Sequence, residues 1–507
     1  MAGKFSDLQV YYDRRPIAAV LIFIAIGALL TLSFAPFNLY LLAPVLAAPI
    51  LLVGLCLKPR SAAHCAFSFG FGLFLSGTYW IYVSVHVIGM APLWIAILLM
   101  LGLVIIMAGF FSLMGWLMSR LIGGDSTRLI LVGPAIWVVL EWARGWFLSG
   151  FPWLSMGYSQ IDSPLAAWAP LIGVYGISWL LLISASGIVI AATRRNYALA
   201  LMLVVLPWVL GQGLRAQEWT QPINEPVLTT IIQGGVPQDR KWLPEQFAPT
   251  LELYHNALIA ADGSELVVWP EVAIPSLIEL DNAYLTVLSD DARAHGRTLI
   301  LGVLEQDTEQ ERVYNSVLLL DGKSQQVYRK RHLVPFGEYF PVPDFVREWM
   351  RLLSLPNNDI SAGSDTQPIL MASDGTKFGV AICYEDAFGA EQLYALPDAT
   401  VLINVSNDGW FGDSIAPHQH LQIARMRALE VGRWVVRSTS NGVSAFIGPH
   451  GEIAAIAPQF EFATLTYAVQ PMTGLTPYAR TGNLAVILPL LLIGLWAAAK
   501  SKVSIGG

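Results

Sequence analysis

Residues 378–386 read FGVAICYED, an apolar run that ends in a cysteine followed at once by acidic residues. Such a run predicts a buried strand, which places Cys383 at the carboxyl end of that strand. One interpretation is that Cys383 is a small buried hydrophobic residue, as free cysteines often are. The other is that it is a nucleophile at the edge of a sheet.

Two further segments carry polar side chains at comparable positions. LVVWPE at 266–271 runs from an apolar strand into Glu271, which suits a general base, although a solvated loop carboxylate is the alternative. YRKRHLVPFGE at 328–338 contains Lys330 in a basic cluster, and a basic surface patch is the alternative there. The three residues would form a working set: Glu271 takes the thiol proton, Cys383 attacks a carbonyl carbon, and Lys330 stabilises the oxyanion.

In this order the three segments resemble the nitrilase, or carbon-nitrogen hydrolase, superfamily. The resemblance implies a catalytic triad of Glu271, Lys330 and Cys383 on an α/β fold of the αββα sandwich type. It implies no metal and no cofactor. The supporting residues that it implies are Glu338, Tyr384 and Glu385, of which Tyr384 would lend its backbone N–H.

The composition predicts a membrane protein. Of the 507 residues, 55% are hydrophobic and only 13% are charged, whereas soluble proteins carry about 25% charged residues. The net charge of -7 is modest and no block of like charge stands out, so nucleic acid is not an expected partner. Two of the three cysteines, Cys56 and Cys65, lie in apolar stretches far from Cys383, which indicates no disulfide framework.

Eight apolar runs are long enough to cross a bilayer, and they lie near 16–36, 38–57, 66–85, 93–118, 129–148, 166–192, 197–214 and 484–499. Lysine and arginine mark alternate connections, at Lys4, Arg14 and Arg15, then Lys58 and Arg60, Arg120 and Arg128, Arg194 and Arg195, and Lys500 and Lys502. The positive-inside rule then places both termini in the cytoplasm and residues 215–483 on the other side.

These patterns predict a polytopic α-helical membrane protein with eight transmembrane helices and an extracytoplasmic α/β nitrilase-like domain. Residues 1–214 form a seven-span transmembrane domain, residues 215–483 the catalytic domain, and residues 484–507 the eighth helix with a cytoplasmic tail. Strands are predicted at 227–233, 266–269, 298–303, 316–320, 378–383, 401–404, 434–438 and 443–447. Helices are predicted at 246–261, 283–295 and 419–432.

Within the superfamily, further segments resemble the apolipoprotein N-acyltransferase family, at residues 141–146, 233–238, 241–242, 332–338, 404–412 and 425–430. This resemblance implies a phospholipid acyl donor, with phosphatidylethanolamine expected, and a diacylated apolipoprotein as acceptor. It also implies a monomer in the bacterial inner membrane with its catalytic domain in the periplasm. The alternatives are a membrane-tethered amidase or nitrilase acting on a small C–N substrate, and a lipid-binding or transport protein with a non-catalytic nitrilase fold.

Four residues are candidates for lipid contact. Glu141 and Arg144 are three apart on a predicted helix, so they share a face and either fix helix packing or bind a phospholipid headgroup. Trp242 lies in one of the resembling segments. Trp349 belongs to an apolar stripe at 345–353, which is either a mobile lid that touches the membrane or a surface helix packed on the domain.

Overall fold

The computed structural model describes residues 2–340, 345–346, 348 and 360–503. The chain folds into two compact units. One comprises Val87–Ala91 and Glu218–Ala479, and the other comprises the remaining described residues. The first is called here the catalytic unit and the second the membrane unit.

The membrane unit is helical. Its longer helices are Ala2–Arg14, Pro16–Leu30, Leu42–Cys56, Pro59–Gly77, Leu93–Ile122, Ser126–Arg144, Ala169–Arg194, Tyr197–Leu214 and Leu484–Val503. Shorter helical segments are Thr31–Ser33, Trp80–Tyr82, Val83–Ile88, Phe147–Ser149, Met156–Gln160 and Pro164–Trp168.

The described part of the chain contains six helical segments long and apolar enough to cross a membrane: Pro16–Ser33, Leu93–Ile122, Ser126–Arg144, Pro164–Arg194, Tyr197–Leu214 and Leu484–Ser501. A seventh arises if Pro59–Gly77 and Trp80–Ile88, bent by 48°, count as one span. The predicted span at 38–57 is the helix Leu42–Cys56, whose 15 residues extend about 22 Å. Several of the predicted spans are therefore helices long and apolar enough to cross a membrane, and the number of eight spans stays a prediction.

Glycines allow two helices of the membrane unit to pack at close range. A Cβ atom on Gly27 would lie 1.9 Å from the carbonyl oxygen of Phe69, and one on Gly72 would lie 2.0 Å from that of Ile24. The helices Pro16–Leu30 and Pro59–Gly77 therefore meet through backbone. Small residues serve this purpose in membranes, where helix association relies on packing more than on the hydrophobic effect.

The catalytic unit is built on strands. They are β1 (Gln221–Pro222), β2 (Val227–Gln233), β3 (Leu266–Val268), β4 (Leu277–Ile278), β5 (Thr298–Asp307), β6 (Arg312–Leu320), β7 (Gln325–Arg329), β8 (Leu370–Met371), β9 (Lys377–Ile382), β10 (Val401–Ser406), β11 (Val435–Thr439), β12 (Ala445–Ile447), β13 (Ile453–Ile456), β14 (Ala463–Val469) and β15 (Met472–Thr473). Its helices of ten or more described residues are Pro244–Ala260, Ala283–His295 and Ala416–Val431, and shorter ones are Cys383–Ala387, Gly389–Gln392, Leu393–Ala395, Asp408–Phe411 and Pro477–Thr481.

Within the described residues these strands form two large sheets. One has the order β14-β2-β3-β5-β6-β7, with β4 paired to β5, and the other has the order β13-β12-β11-β10-β9-β8. Strands β2, β3 and β5 are parallel, as are β9, β10 and β11. Because β6 is antiparallel to both β5 and β7, β7 runs in the same direction as β3. The carboxyl ends of β3 and β7 therefore lie at one edge of their sheet.

Alternate side chains of each strand decide how the sheets stack, because successive residues point to opposite faces. Val380 and Ile403 belong to a core shared with Ile300 and Val317 of the other sheet. The intervening side chains face the helices: Leu402 packs with the helix Ala416–Val431, and other residues pack under Pro244–Ala260 and Ala283–His295. The layers are helix, sheet, sheet, helix, which confirms the predicted α/β sandwich.

Because the core between the sheets is closely packed, replacing a buried isoleucine there with alanine should cost more stability than the same substitution at an exposed position. Ile403 is fully buried between the sheets, whereas Ile453 on β13 is 38% exposed. Ile403→Ala leaves a cavity that costs about 2–5 kcal/mol, so we expect a fall in Tm of about 5 °C or more in detergent, measured by differential scanning fluorimetry. Ile453→Ala is the matched control and should change Tm by less than about 2 °C. Equal shifts for the two variants would contradict this description of the core.

Candidate active site

Three strand ends bring the predicted triad residues together. Glu271 follows β3, Lys330 follows β7 directly, and Cys383 follows β9 directly. Lys330 Nζ lies 3.8 Å from Glu271 Oε1, and both side chains are buried. Both groups also interact electrostatically with the half-buried Cys383 thiol. The sequence placed these residues on separate strand ends, and the fold gathers them at one site.

Lys330 is held between two carboxylates. Its Nζ donates to Glu338 Oε1 at 2.9 Å and lies 2.8 Å from Glu338 Oε2. It also contacts Glu271. Burial by itself lowers the pKa of a lysine, but the charges of Glu338 and Glu271 outweigh it and raise the pKa of Lys330 above its usual value. Lys330 is therefore a permanent cation, which is the state that stabilising an oxyanion requires.

Asn315 on β6 joins the two carboxylates and was not predicted from the sequence. Its Nδ2 donates to Glu271 Oε1 at 2.7 Å and to Glu338 Oε1 at 2.8 Å, and its backbone carbonyl oxygen accepts the Lys330 backbone N–H at 2.8 Å. Among the described residues, Glu271 Oε2 has no hydrogen-bond partner. That oxygen is free to accept a proton. The signal for Asn315 is an amide directly before the predicted strand at 316–320.

The backbone at Cys383 turns sharply out of β9. Its φ of +51° lies in the left-handed region, which residues with a Cβ seldom adopt. Burial raises the pKa of the thiol above its ordinary value; the Glu271 carboxylate adds to this, while Lys330 and a hydrogen bond with Ser406 oppose it. The resting thiol is therefore protonated at neutral pH, so a nucleophilic role for Cys383 would require a base to take its proton.

Glu385 connects the two sheets next to Cys383. Its Oε1 accepts the backbone N–H of Arg331 at 2.7 Å, and its Oε2 accepts that of Ile382 at 2.8 Å. Tyr328 donates to both oxygens at 3.1 Å. Glu385 thus ties the residue after Lys330 to the residue before Cys383, and its supporting role in catalysis stays a prediction. The Tyr384 ring meets His332 and Phe388 edge-on, at centroid distances of 5.8 and 5.1 Å.

A buried polar network underlies the Cys383 backbone, and the sequence assigned it no role. Asp408 accepts hydrogen bonds from Arg437 Nη2 at 2.8 Å and from the Ser406 hydroxyl at 2.8 Å, and it lies 2.9 Å from His420 Nδ1. His420 Nε2 is 3.2 Å from the carbonyl oxygen of Cys383. Although burial raises the pKa of a carboxyl group, Arg437 and His420 reverse this and hold the pKa of Asp408 below its usual value. The network supports the turn that presents the thiol.

The candidates for lipid contact have different surroundings. In the membrane unit, buried Glu141 accepts the Ser178 hydroxyl at 2.5 Å and the Met156 N–H at 3.1 Å, and buried Arg144 donates to the Trp153 carbonyl at 3.1 Å. These contacts hold the segment after their helix, and headgroup binding stays a prediction. In the catalytic unit the Trp242 side chain is 48% exposed.

Trp349 lies outside the described residues, as does most of the stripe at 345–353. Its role in lipid binding and the lid therefore stay predictions.

The family model for carbon-nitrogen hydrolases matches residues 228–478, so the sandwich is a domain of that class. The model for the apolipoprotein N-acyltransferase N-terminal domain matches residues 26–187. The chain is 41% identical to the apolipoprotein N-acyltransferase of Methylococcus capsulatus, over 92% of this chain and 93% of that one. It is 42% identical to that of Azotobacter vinelandii, over 95% of each chain, and 40% identical to that of Pseudomonas putida, over 93% and 95%. The chain belongs to the apolipoprotein N-acyltransferase family.

Asn315→Asp tests the hydrogen-bond bridge without changing the size of the side chain. The variant replaces the amide donor with a third carboxylate beside Glu271 and Glu338, so two hydrogen bonds to charged groups are lost. We expect the rate of acyl transfer to fall by about 10- to 100-fold at neutral pH. Lowering the pH should restore part of the rate, because a shared proton recreates one donor.

The matched control is Asn224→Asp, an exposed amide in the same unit, which should leave the rate unchanged. Transfer is measured with a diacylated lipopeptide acceptor, and folding is checked by Tm. A normal rate in folded Asn315→Asp would contradict the proposed bridge.

Proposed function

We propose that this protein transfers a fatty acyl chain from a phospholipid to the α-amino group of the S-diacylglyceryl cysteine at a lipoprotein N-terminus. Family membership supports this activity. The structural observation that supports it is the position of Lys330, which is buried between Glu338 and Glu271 and interacts electrostatically with Cys383. Phosphatidylethanolamine is the proposed donor, and the proposed active species is a monomer.

In the first step, the Cys383 sulfur forms a bond to the ester carbonyl carbon of the phospholipid while Glu271 accepts the thiol proton. The unpartnered Glu271 Oε2 suits this task. Lys330 and the Tyr384 backbone N–H stabilise the oxyanion. The C–O ester bond then breaks, and the leaving alcohol of the lysophospholipid takes the proton from Glu271. A thioester on Cys383 remains.

In the second step, the lipoprotein amine attacks the thioester carbonyl and Glu271 accepts a proton from the amine. The C–S bond breaks, and the Cys383 sulfur recovers its proton from Glu271. The product is an amide. A thioester suits this sequence because it stays reactive toward amines, and exclusion of water from the site limits its hydrolysis.

We further propose the topology that the distribution of lysine and arginine predicts: eight spans in the inner membrane, cytoplasmic termini, and residues 215–483 in the periplasm. Seven crossings within residues 1–214 would bring the chain to the periplasmic side before the catalytic domain, and the crossing at 484–499 would return it. This location would give the site access to lipoproteins held at the periplasmic face of the membrane.

The thioester step predicts an isolable intermediate. Purified protein incubated with phosphatidylethanolamine and no acceptor should gain one acyl chain on Cys383, detected by mass spectrometry of peptides. Cys383→Ala and Cys383→Ser should abolish both the adduct and transfer. Cys56→Ala is the matched control, because Cys56 lies in a helix of the membrane unit, and it should behave as wild type. An adduct on another residue would overturn the assignment, and ammonia release from simple amides would favour an amidase.

The topology predicts opposite labelling of two introduced cysteines in a chain whose three natural cysteines are replaced by alanine. Lys323→Cys in the catalytic unit should react with a membrane-impermeant maleimide in cells with a permeabilised outer membrane. Thr127→Cys, beside Arg128 in the first turn of the helix Ser126–Arg144, should react only after the inner membrane is broken. Both positions are exposed. The reverse pattern would contradict the proposed orientation.

A further inference from the structure

A second buried lysine, Lys241, lies behind the catalytic base. It ends the turn after β2, where its backbone N–H donates to the Pro237 carbonyl at 3.0 Å, and its side chain is 3% exposed. Its Nζ lies 3.4 Å from the carbonyl oxygen of Glu271 and 3.4 Å from the Ser440 hydroxyl. Within the described residues these are its side-chain hydrogen bonds.

The same carbonyl oxygen of Glu271 also accepts the Ser440 hydroxyl at 3.3 Å. Ser440 follows β11 of one sheet, whereas Lys241 follows β2 of the other. Donors from both sheets therefore converge on the backbone of the base. On the other side, Gly302 packs so closely that a Cβ there would lie 2.6 Å from the Glu271 Cα. The backbone of Glu271 is thus confined from several directions.

Lys241 differs from Lys330 in its partners. Lys330 contacts the carboxylates of Glu338 and Glu271, whereas the hydrogen bonds of Lys241 reach only neutral oxygens in the described structure. A buried ammonium group without a bonded carboxylate costs stability, and an apolar side chain of similar size would often be better there. Glu271 is the titratable group with which the described structure couples Lys241 electrostatically.

We propose that Lys241 is a positioning residue for Glu271: its ammonium group holds the backbone of the base in place and keeps a positive charge behind it. This inference rests on the proposed role of Glu271 as the base for Cys383. It assigns Lys241 no contact with the acyl chain. Removal of the ammonium group should therefore slow the proton transfer that precedes thioester formation, while the fold stays intact.

The acylation step alone provides the test, because the acceptor amine would add its own titration. Full-length protein in detergent is mixed with dipalmitoyl phosphatidylethanolamine, and the rate of adduct formation on Cys383 is followed by mass spectrometry. Lys241→Met should lower this rate by about 10- to 100-fold, because a displaced base acts poorly, while Tm stays equal or rises. The exposed Lys323→Met is the matched control and should keep the wild-type rate. A role in folding alone would lower Tm and spare the rate of the folded fraction.

The pH profile gives a second readout. Burial lowers the pKa of Lys241 to about 8, against the smaller opposing effect of Glu271, so its charge is present below that pH and lost above it. Cys383 and Lys330 have raised pKa values, so neither titrates in this range. The wild-type rate should fall above about pH 8, whereas Lys241→Arg should keep its rate to higher pH, because a guanidinium group stays charged.

The outcomes distinguish the proposed role of Lys241 from the proposed function of the protein. If Lys241→Met is folded with a wild-type rate, or if Lys241→Arg leaves the alkaline fall in place, the inference is wrong even though Cys383→Ala is inactive. If Lys241→Met does not fold, the profile of Lys241→Arg decides. An adduct that persists in Cys383→Ala overturns the proposed function itself, whatever Lys241 does.

Discussion

The catalytic unit depends on one buried ammonium group, that of Lys330. Glu271 is buried and the side chain of Glu338 is only 11% exposed, and two such shielded carboxylates near one another cannot both stay ionised without a compensating charge. Lys330 supplies that charge, and Asn315 supplies hydrogen bonds to both acids. In return, the two acids keep Lys330 protonated. The charged state of Lys330 that stabilises the folded site is therefore also the state that the proposed chemistry at Cys383 needs.

The sandwich holds these charged groups next to Cys383 because it brings together the ends of strands from two sheets. Glu271 and Lys330 come from one sheet and Cys383 from the other, so a shift between the sheets would separate the proposed nucleophile from its proposed base and cation. Glu385 resists that shift, since its two oxygens accept N–H groups on either side of the interface. The core between the sheets supplies the remaining stability, and its residues lie well away from solvent. Packing and catalysis thus constrain the same strands.

Much of this fold was predictable because local patterns are strong where a strand or helix is fully buried on one face. The run at 227–233 is β2, and the helix predicted at 283–295 is present with those bounds. Strand β7, with the sequence QQVYR, was missed because its pattern is polar and it forms an edge of its sheet. The span predicted at 38–57 is a shorter helix, since hydropathy alone does not locate where a chain turns. Pairing between distant strands, which closes the sandwich, leaves no local signal.

The residues of the site also divide into those that the local sequence can identify and those that only the assembled fold brings together. Glu271 and Cys383 each follow an apolar strand, a position that sequence can recognise, whereas Lys330 follows the polar edge strand β7. Family resemblance supplies the expected roles of all three. Lys241 and Asn315 are different, because their importance comes from contacts across about 30 and 44 positions of the chain, to Glu271. Burial strengthens the electrostatic effect of a lysine or an amide on its neighbours, since charges and dipoles interact more strongly where the local dielectric constant is low. Which polar residues are buried is decided by the assembled fold, and that is why the groups around the base emerge only from the structure.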